Sequence, residues 1–380
     1  WSAGQEQFGF KAGMGCSEAV ILLIALILSR TTQKKRLFVL WVDLRTAFPS
    51  LHRHILVQKV FQCGLGLGLC RMMLAILDVT SAIVCIGKMV SKPFTETLGV
   101  REGAVESPHA FNMYIDSLRL RLESAHPHLC RLMGVVIAVL LYADDAALPA
   151  DSAEDLQLSA DIFVQFCNEH RLYIATQKTF VTVFHDATDE GGTYNADGVS
   201  VDGVLVNIEV YGQRIAAAAE FKYLGVVLDA TISGAAHCSA RMLAFDRSAY
   251  LLIAGLSRIP AFPHKLLMYL WTALVAPVVS YGMDLMAHPA SMVQAFQGKE
   301  RKWWRRLLQV GGRSPNAAVS VLMGLPTSVI SWRVQRVGLF LKLANAPVGS
   351  WRHLAFIAHH HMQTAWFSQG LADLCLVLPG

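Results

Sequence analysis

The chain has 380 residues, 54% of them hydrophobic and 16% charged, with a net charge of +5. That composition allows two or three domains with a large core and excludes a disordered chain. The charge is local: residues 299–313 hold six basic side chains (Lys299, Arg301, Lys302, Arg305, Arg306 and Arg313) against one acid, Glu300, and carry the whole net charge. One basic stretch on an otherwise neutral chain points to a polyanion-binding region rather than to a generally basic protein.

The eight cysteines form no C-x-x-C pair. This excludes a readable zinc ribbon or disulfide framework and suits a reducing, intracellular compartment. The start at Trp1 is that expected of a fragment or processed product, and no signal-peptide pattern precedes the first apolar segment. His353, His359, His360, His361 and Cys375 lack paired-ligand spacing and read as solvated or incidental rather than metal-binding.

In chain order, residues 18–30 read as a buried helix, ended by the cluster Arg30, Lys34, Lys35 and Arg36. Residues 37–42 read as a buried strand that ends on Asp43. Helices over 52–62 and 68–79 flank the glycine-rich turn at 64–68. Residues 84–90 and 94–98 read as paired strands with a turn near Lys88 or Lys92. Residues 107–125 read as one helix opened by Ser-Pro, where proline is tolerated. Residues 135–141, then Tyr142-Ala143-Asp144-Asp145, then 146–148 give apolar strand, acidic tip and apolar return: a hairpin with carboxylates at its turn. Residues 153–170 read as an amphipathic helix opened by Ser152, with Asp155 three residues on. Strands are expected at 179–184, 204–210 and 223–228, with a polar loop over 186–203. From about 236 the pattern is helical to near 346. Residues 266–283 carry no charge and are nearly long enough to span a bilayer, but Pro277, Thr272, Ser280 and Tyr281 favour a buried helix pair, and no stable membrane association is expected.

Three carboxylates thus follow hydrophobic strands at two separate places. If those strands are neighbours in one sheet, the acids converge and repel one another unless a cation intervenes. Mg²⁺ takes carboxylate, phosphate and water oxygens, and two such ions can serve an in-line phosphoryl displacement. On these residues alone, turn-forming acids without a metal are the competing reading.

The surrounding segments resemble, in order, those of reverse transcriptases of the non-LTR (LINE-type) retrotransposon class. Gln7-Phe8-Gly9-Phe10-Lys11 is similar to the Q-x-G-F-R fingers segment, and residues 42–48 (Val-Asp-Leu-Arg-Thr-Ala-Phe) to the first palm motif. Gly99-Val100-Arg101-Glu102-Gly103, with Ser107-Pro108 and Phe111-Asn112, is similar to G-V-x-Q-G…S-P…F-N. Tyr142-Ala143-Asp144-Asp145 is similar to Y-x-D-D, residues 172–179 to L-x-x-N-x-x-K-T, and Phe221-Lys222-Tyr223-Leu224-Gly225 to F-K-Y-L-G.

That resemblance implies an α/β (α+β) right-hand polymerase fold: a fingers/palm domain with an antiparallel sheet over 1–235, its fingers truncated, and a helical thumb over 236–346. Residues 347–380 are left as a tail. It implies an RNA-directed DNA polymerase acting on an RNA template, a DNA primer and dNTPs, nuclear in a full-length element protein. Two Mg²⁺ ions, or Mn²⁺, would be held by Asp43, Asp144, Asp145 and the Leu44 carbonyl. Phe48 would be a steric gate against the ribose 2′-hydroxyl, or simply core. Arg101, Glu102 and Gly103 would line the nucleotide pocket. Lys178 would lie near the triphosphate, and Tyr223 and Gly225 near the primer end. Arg301, Lys302, Arg305 and Arg306 would reach phosphates, with Trp303-Trp304 against the duplex or in the core. Glu102 stands where the family has glutamine, Ala175 where it has asparagine, and the earlier fingers strands are almost absent. A catalytically inactive, nucleic-acid-binding remnant is therefore the alternative.

Overall fold

The computed structural model describes residues 6–78, 80–189, 193–195, 198–201, 204–256 and 262–377. The chain divides into two compact units. One joins Trp1–Ala19 to Arg30–Ala219; the other joins Val20–Ser29 to Glu220–Gly380. The division falls at 219, ahead of the boundary expected at 235.

The first unit is a five-stranded sheet with helices. Its strands are β1 (Leu37–Val42), β2 (Leu140–Tyr142), β3 (Asp145–Ala150), β4 (Phe180–Phe184) and β5 (Ala216–Ala217), in the order β5-β4-β1-β3-β2. β1 is central and antiparallel to both β3 and β4. Every residue of β1 is buried. A strand covered on both faces needs no polar alternation, and this explains its unbroken apolar run. Trp41 is accommodated by donating its indole N–H to Thr182 Oγ1 at 2.9 Å. Helix Ala153–His170 adds Leu156, Ala160, Phe163 and Phe166 to the same core as Leu40 and Leu148. Its cap is the expected one: Ser152 Oγ accepts the Asp155 N–H at 3.0 Å.

Three local expectations are corrected in this unit. The helix expected over 107–125 is two, Ser107–Ile115 and Ser117–Ala125. Cys85–Ile86 pairs with Met89–Val90 across a turn containing Lys88, but Phe94–Thr95 pairs with Ser81–Ala82 instead of with them. The cause is Arg53. Its buried guanidinium donates to the carbonyls of Leu77 (2.6 Å), Glu96 (2.6 Å), Leu98 (3.1 Å) and Gly99 (3.0 Å) and to Thr80 Oγ1 (3.1 Å), drawing 96–99 against 77–80. The polar segment expected as a loop contains Thr193–Asn195 and Gly198–Val201, which form a three-stranded sheet with Val204–Val206. Its residues 190–192, 196–197 and 202–203 lie outside the described residues.

The second unit opens with a hairpin, β6 (Glu220–Tyr223) and β7 (Val226–Asp229), where a single strand was expected over 223–228. The turn residues Leu224 and Gly225 have φ of 48° and 82°. A two-residue hairpin turn commonly needs positive φ at both positions, and glycine supplies one without steric cost. A Cβ on Gly225 would also stand 2.8 Å from the Tyr281 ring, whose hydroxyl donates to Leu224 O at 2.7 Å.

Helices follow, among them Ala235–Leu256, Ala290–Leu307 and Ser328–Ala344, around a core that includes Phe245, Trp271, Phe296, Trp304 and Trp332. Between His264 and Ser280 the helix widens to a π-helical turn at Trp271–Val275, next to Pro277. Proline cannot donate to the turn before it and clashes with that turn's carbonyl, and a wider turn is one way to absorb it. No single described helix is long and apolar enough to cross a membrane; Asn316–Met323 and Ser328–Ala344 reach that length only together, bent by 61°.

The region after 346 forms two helices of this unit, Trp351–His361 and Ala365–Val377. Phe340 packs against Phe356 and Phe367, each at 5.2 Å between ring centres. Arg336 and Asp373, each about 3% exposed, form a buried ion pair at 2.7 Å. His359 is fully buried, with its ring nitrogens against Thr364 Oγ1 (2.9 Å) and Ile21 O (3.2 Å). It is a core residue, which the expectation of solvated or incidental histidines did not anticipate.

Candidate active site

Asp43 is the first residue past β1, Asp144 sits at the hairpin tip between β2 and β3, and Asp145 opens β3. The β1–β3 register pairs Val42 with Ala146. One step further along the same register sets Asp43 opposite Asp145, and directly opposed residues of an antiparallel pair are side-chain neighbours. Two sites far apart in sequence therefore meet at one end of the sheet.

A second segment braces Asp43. The Arg45 N–H donates to Tyr173 O (2.7 Å), and the Ala175 N–H donates to Asp43 O (2.8 Å). Leu44 is buried and bridges Ile174 between them. The short helical turn Thr176–Lys178 follows and carries Lys178 Nζ to 3.4 Å from Asp43 Oδ2. The Lys178 side chain is 74% exposed, so this pair adds little stability and mainly places charge.

The electrostatics register the crowding. Burial, then the neighbouring carboxylates of Asp144 and Asp43, push the Asp145 carboxyl up to about 6, and Lys178 pulls it back only in part. Burial also raises Asp144; a backbone hydrogen bond and Lys178 oppose this, while Asp43 adds to it. The folded-state value of Asp145 lies above that of an unfolded carboxyl, so the contribution of Asp145 to stability is fully present below the unfolded value of 3.8 and is lost as pH rises through about 6. Without divalent ions, Asp145→Asn is expected to raise unfolding free energy by roughly 2 kcal/mol at pH 8 and by much less at pH 4.5, read by denaturant titration. An equal gain at both pH values would show that charge crowding is not the cause.

These residues fit Mg²⁺ in donor chemistry. Carboxylates are acceptor-only oxygens, and here three of them face one exposed cation. Among the described residues no site of three or more His, Cys, Asp or Glu side chains that could hold a metal ion is formed. Mg²⁺ seldom uses one: it takes one or two carboxylates and completes its octahedron with water and substrate phosphate.

The other expected residues divide by place. Phe48 is half-buried, with its ring 5.1 Å from Phe111 and 6.5 Å edge-on from Phe10. Arg101, Glu102 and Gly103 are exposed. Arg101 pairs with Glu106 at 3.4 Å, so its guanidinium is directed to Glu106 rather than to Glu102. Tyr223 and Gly225 belong to the second unit. There Trp303 and Trp304 are both buried, which places them in the core. Arg305 bonds Ser314 O (2.8 Å) and Asn316, and Arg301 is only partly exposed. Lys302 and Arg306 are the exposed pair of the four, and Arg306 lies 4.8 Å over the Trp303 ring.

Two residues with structural roles at the site had no assigned role from sequence. Arg53 shares the buried face of its helix with Leu56 and Val60, a spacing of three and seven that marks a core position. Gln7 lies within a noted motif, and its side chain reaches the acidic hairpin.

Residues 2–228 match the family described as Reverse transcriptase (RNA-dependent DNA polymerase). Among curated proteins, the chain is similar to the Retrovirus-related Pol polyprotein from type-1 retrotransposable element R2 of Popillia japonica. The two are 23% identical over 77% of this chain and 46% of that protein. The R2 polyprotein of Nasonia vitripennis is 27% identical over 40% of this chain and 15% of that protein. The chain thus spans less than half the length of either relative. Among solved structures, telomerase from Candida albicans in complex with a TWJ fragment of telomeric RNA aligns over 95% of this chain and 55% of its own. The identity is 9% and the TM-score 0.40, too distant to add to the family match.

Proposed function

The chain belongs to the reverse transcriptase (RNA-dependent DNA polymerase) family, and on that premise we propose that it extends a DNA 3′ end on an RNA template by two-metal nucleotidyl transfer, as part of a non-LTR retrotransposon protein. The observation that carries this reading is the meeting of Asp43 with the Asp144–Asp145 hairpin at one end of the sheet. The first unit is then palm with part of the fingers, and the helical second unit is the thumb.

Asp43 and Asp144 would hold two Mg²⁺ ions, with Asp145 and the Leu44 carbonyl completing the set; Mn²⁺ meets the same donors. When bound, the ions favour ionisation of the primer hydroxyl and take up charge on the leaving pyrophosphate. Lys178, beside Asp43 and largely exposed, would meet the triphosphate and pass a proton to pyrophosphate. Arg101 and Gly103 would face the nucleotide, and Tyr223 and Gly225 the primer end. Lys302 and Arg306 would contact phosphates of the template–primer duplex.

Phe48 would exclude the ribose 2′-hydroxyl. Its ring is held by Phe111 and Phe10, and a gate must not yield to what it excludes. Phe48→Ala is expected to raise the rNTP-to-dNTP ratio of kcat/KM by about tenfold or more, a change of roughly 1.4 kcal/mol or more in relative barrier. An unchanged ratio in an active variant assigns Phe48 to packing alone.

The test of the whole reading is extension of oligo(dT) on poly(rA) with Mg²⁺ and dTTP. Template-dependent incorporation is expected. A folded chain that binds the duplex and incorporates nothing would favour the non-catalytic remnant.

A further inference from the structure

The geometry points to Gln7 as a positioning residue for the acidic hairpin; its consequence for catalysis rests on the reading above, but its structural role does not. Gln7 is 3% exposed. Its Oε1 accepts two backbone N–H groups at once, from Gly9 at 2.9 Å and from Ala143 at 3.1 Å. Ala143 stands between Tyr142 and Asp144 with φ of 56°. An L side chain adopts that left-handed conformation rarely, and its surroundings must hold it there.

A two-residue hairpin turn asks for positive φ at its first position, but glycine or asparagine usually supplies it, and alanine there is strained. The last β2–β3 pair is Tyr142 with Asp145, so Ala143 and Asp144 lie beyond the ladder. The strap of residues 6–9 supplies what the ladder lacks. The Leu141 N–H donates to Glu6 O (2.9 Å), and the Phe8 N–H donates to Leu141 O (2.8 Å), which runs the strap along β2. The chain then turns over the tip. Gly9 comes so close that a Cβ there would stand 2.5 Å from Ala143 N. Asn112 Nδ2 fastens the far side by donating to Gly9 O at 3.1 Å. Within this clamp the Gln7 carboxamide oxygen fixes the Tyr142–Ala143 peptide, one residue ahead of Asp144. It thereby sets where the Asp144 carboxylate stands relative to Asp43, without serving as a metal ligand or touching substrate.

The test compares the wild-type chain with Gln7→Leu, which removes the acceptor, and Gln7→Glu, which keeps one. Hydrogen exchange without divalent ions is the first readout, with the amides of Val39 and Leu40 in β1 as internal standards for global opening. Relative to them, the Ala143 amide is expected to exchange about tenfold faster or more in Gln7→Leu and to stay protected in Gln7→Glu. Binding of Mn²⁺, followed by its electron paramagnetic resonance signal, should weaken about tenfold in Gln7→Leu as the carboxylates lose their fixed spacing. In primer extension kcat should fall while the KM for dTTP changes by less than about threefold.

Ala143 exchange in Gln7→Leu that tracks the β1 amides overturns the proposal, as does unchanged Mn²⁺ affinity alongside wild-type kcat. Lost protection in Gln7→Glu overturns the acceptor role. If the wild-type chain binds no Mn²⁺ and incorporates nothing, the polymerase reading fails, while the exchange ratios still decide the clamp. Should Gln7→Leu not fold, the same ratio is read in Gln7→Ser, whose hydroxyl is too short to reach Ala143.

Discussion

Asp144→Asn is expected to cut dNTP incorporation by on the order of a thousandfold or more, a loss of roughly 4 kcal/mol or more in transition-state stabilisation, with the fold intact. Asparagine keeps the size and one acceptor oxygen of the side chain but removes the charge that a divalent ion requires. The stability change should run the other way. Asp144 is half-buried beside Asp43 and its proton affinity is raised, so neutralising it relieves repulsion in the metal-free protein. A variant that is inactive and at least as stable as wild type separates a functional acid from a structural one, since losing a structural acid costs stability. The two measurements are single-turnover primer extension and denaturant unfolding without Mg²⁺. Activity within tenfold of wild type would remove Asp144 from the site.

Arg53→Met is expected to destabilise the first unit strongly, by about 3 kcal/mol. The methionine chain fills much of the space, but the carbonyls of Leu77, Glu96, Leu98 and Gly99 lose their shared donor. Leu77 O keeps the Thr80 hydroxyl, and the bonds to Glu96 and Leu98 are part-buried. A buried acceptor left without a partner, as Gly99 O would be, costs about 1–3 kcal/mol, partly offset because the guanidinium no longer has to leave water. Arg53→Lys should recover little, since an ammonium offers three donors from one point where five arms spread in a plane are needed. The effect should also reach the nucleotide site. Gly99 and Val100 donate to the carbonyls of Leu51 and Phe48 at 2.8 and 3.1 Å, so a slack 96–100 segment loosens the backbone of the proposed gate. Unfolding by urea with the slope held constant measures the loss, and a change under about 1 kcal/mol would contradict the account.

The parts of this protein legible in its sequence are those specified over short distances. The apolar run of β1 ends abruptly on Asp43, and Tyr142-Ala143-Asp144-Asp145 divides two apolar stretches. Each signal is complete within about ten residues, and the ordered motifs linked them before the sheet register did. What escaped depends on partners elsewhere. The ladders at 81–95 are two residues long, too short to show a period, and Arg53 decides their pairing from a helix that reads as ordinary. The turn at Leu224-Gly225 lacks the Asn-Gly or Asp-Gly signature, so a hairpin passed for a strand. Trp303-Trp304 beside two arginines reads equally as a nucleic-acid surface or a core edge; burial settles it for the core.

The ion pair between Arg336 and Asp373 bears on where this protein can be cut. A chain ended after Ala346 would look reasonable by motif, because every recognisable segment lies upstream. It would nevertheless leave a guanidinium that is 3% exposed without its carboxylate. It would also uncover the ring of Phe340, which Phe356 and Phe367 now flank. Returning one large apolar side chain to water costs about 1.5–3 kcal/mol, a sizeable share of the 5–15 kcal/mol that holds a typical domain together. The shortest piece that folds is thus set by the last helices to pack, well beyond the last residue with a proposed part in the chemistry.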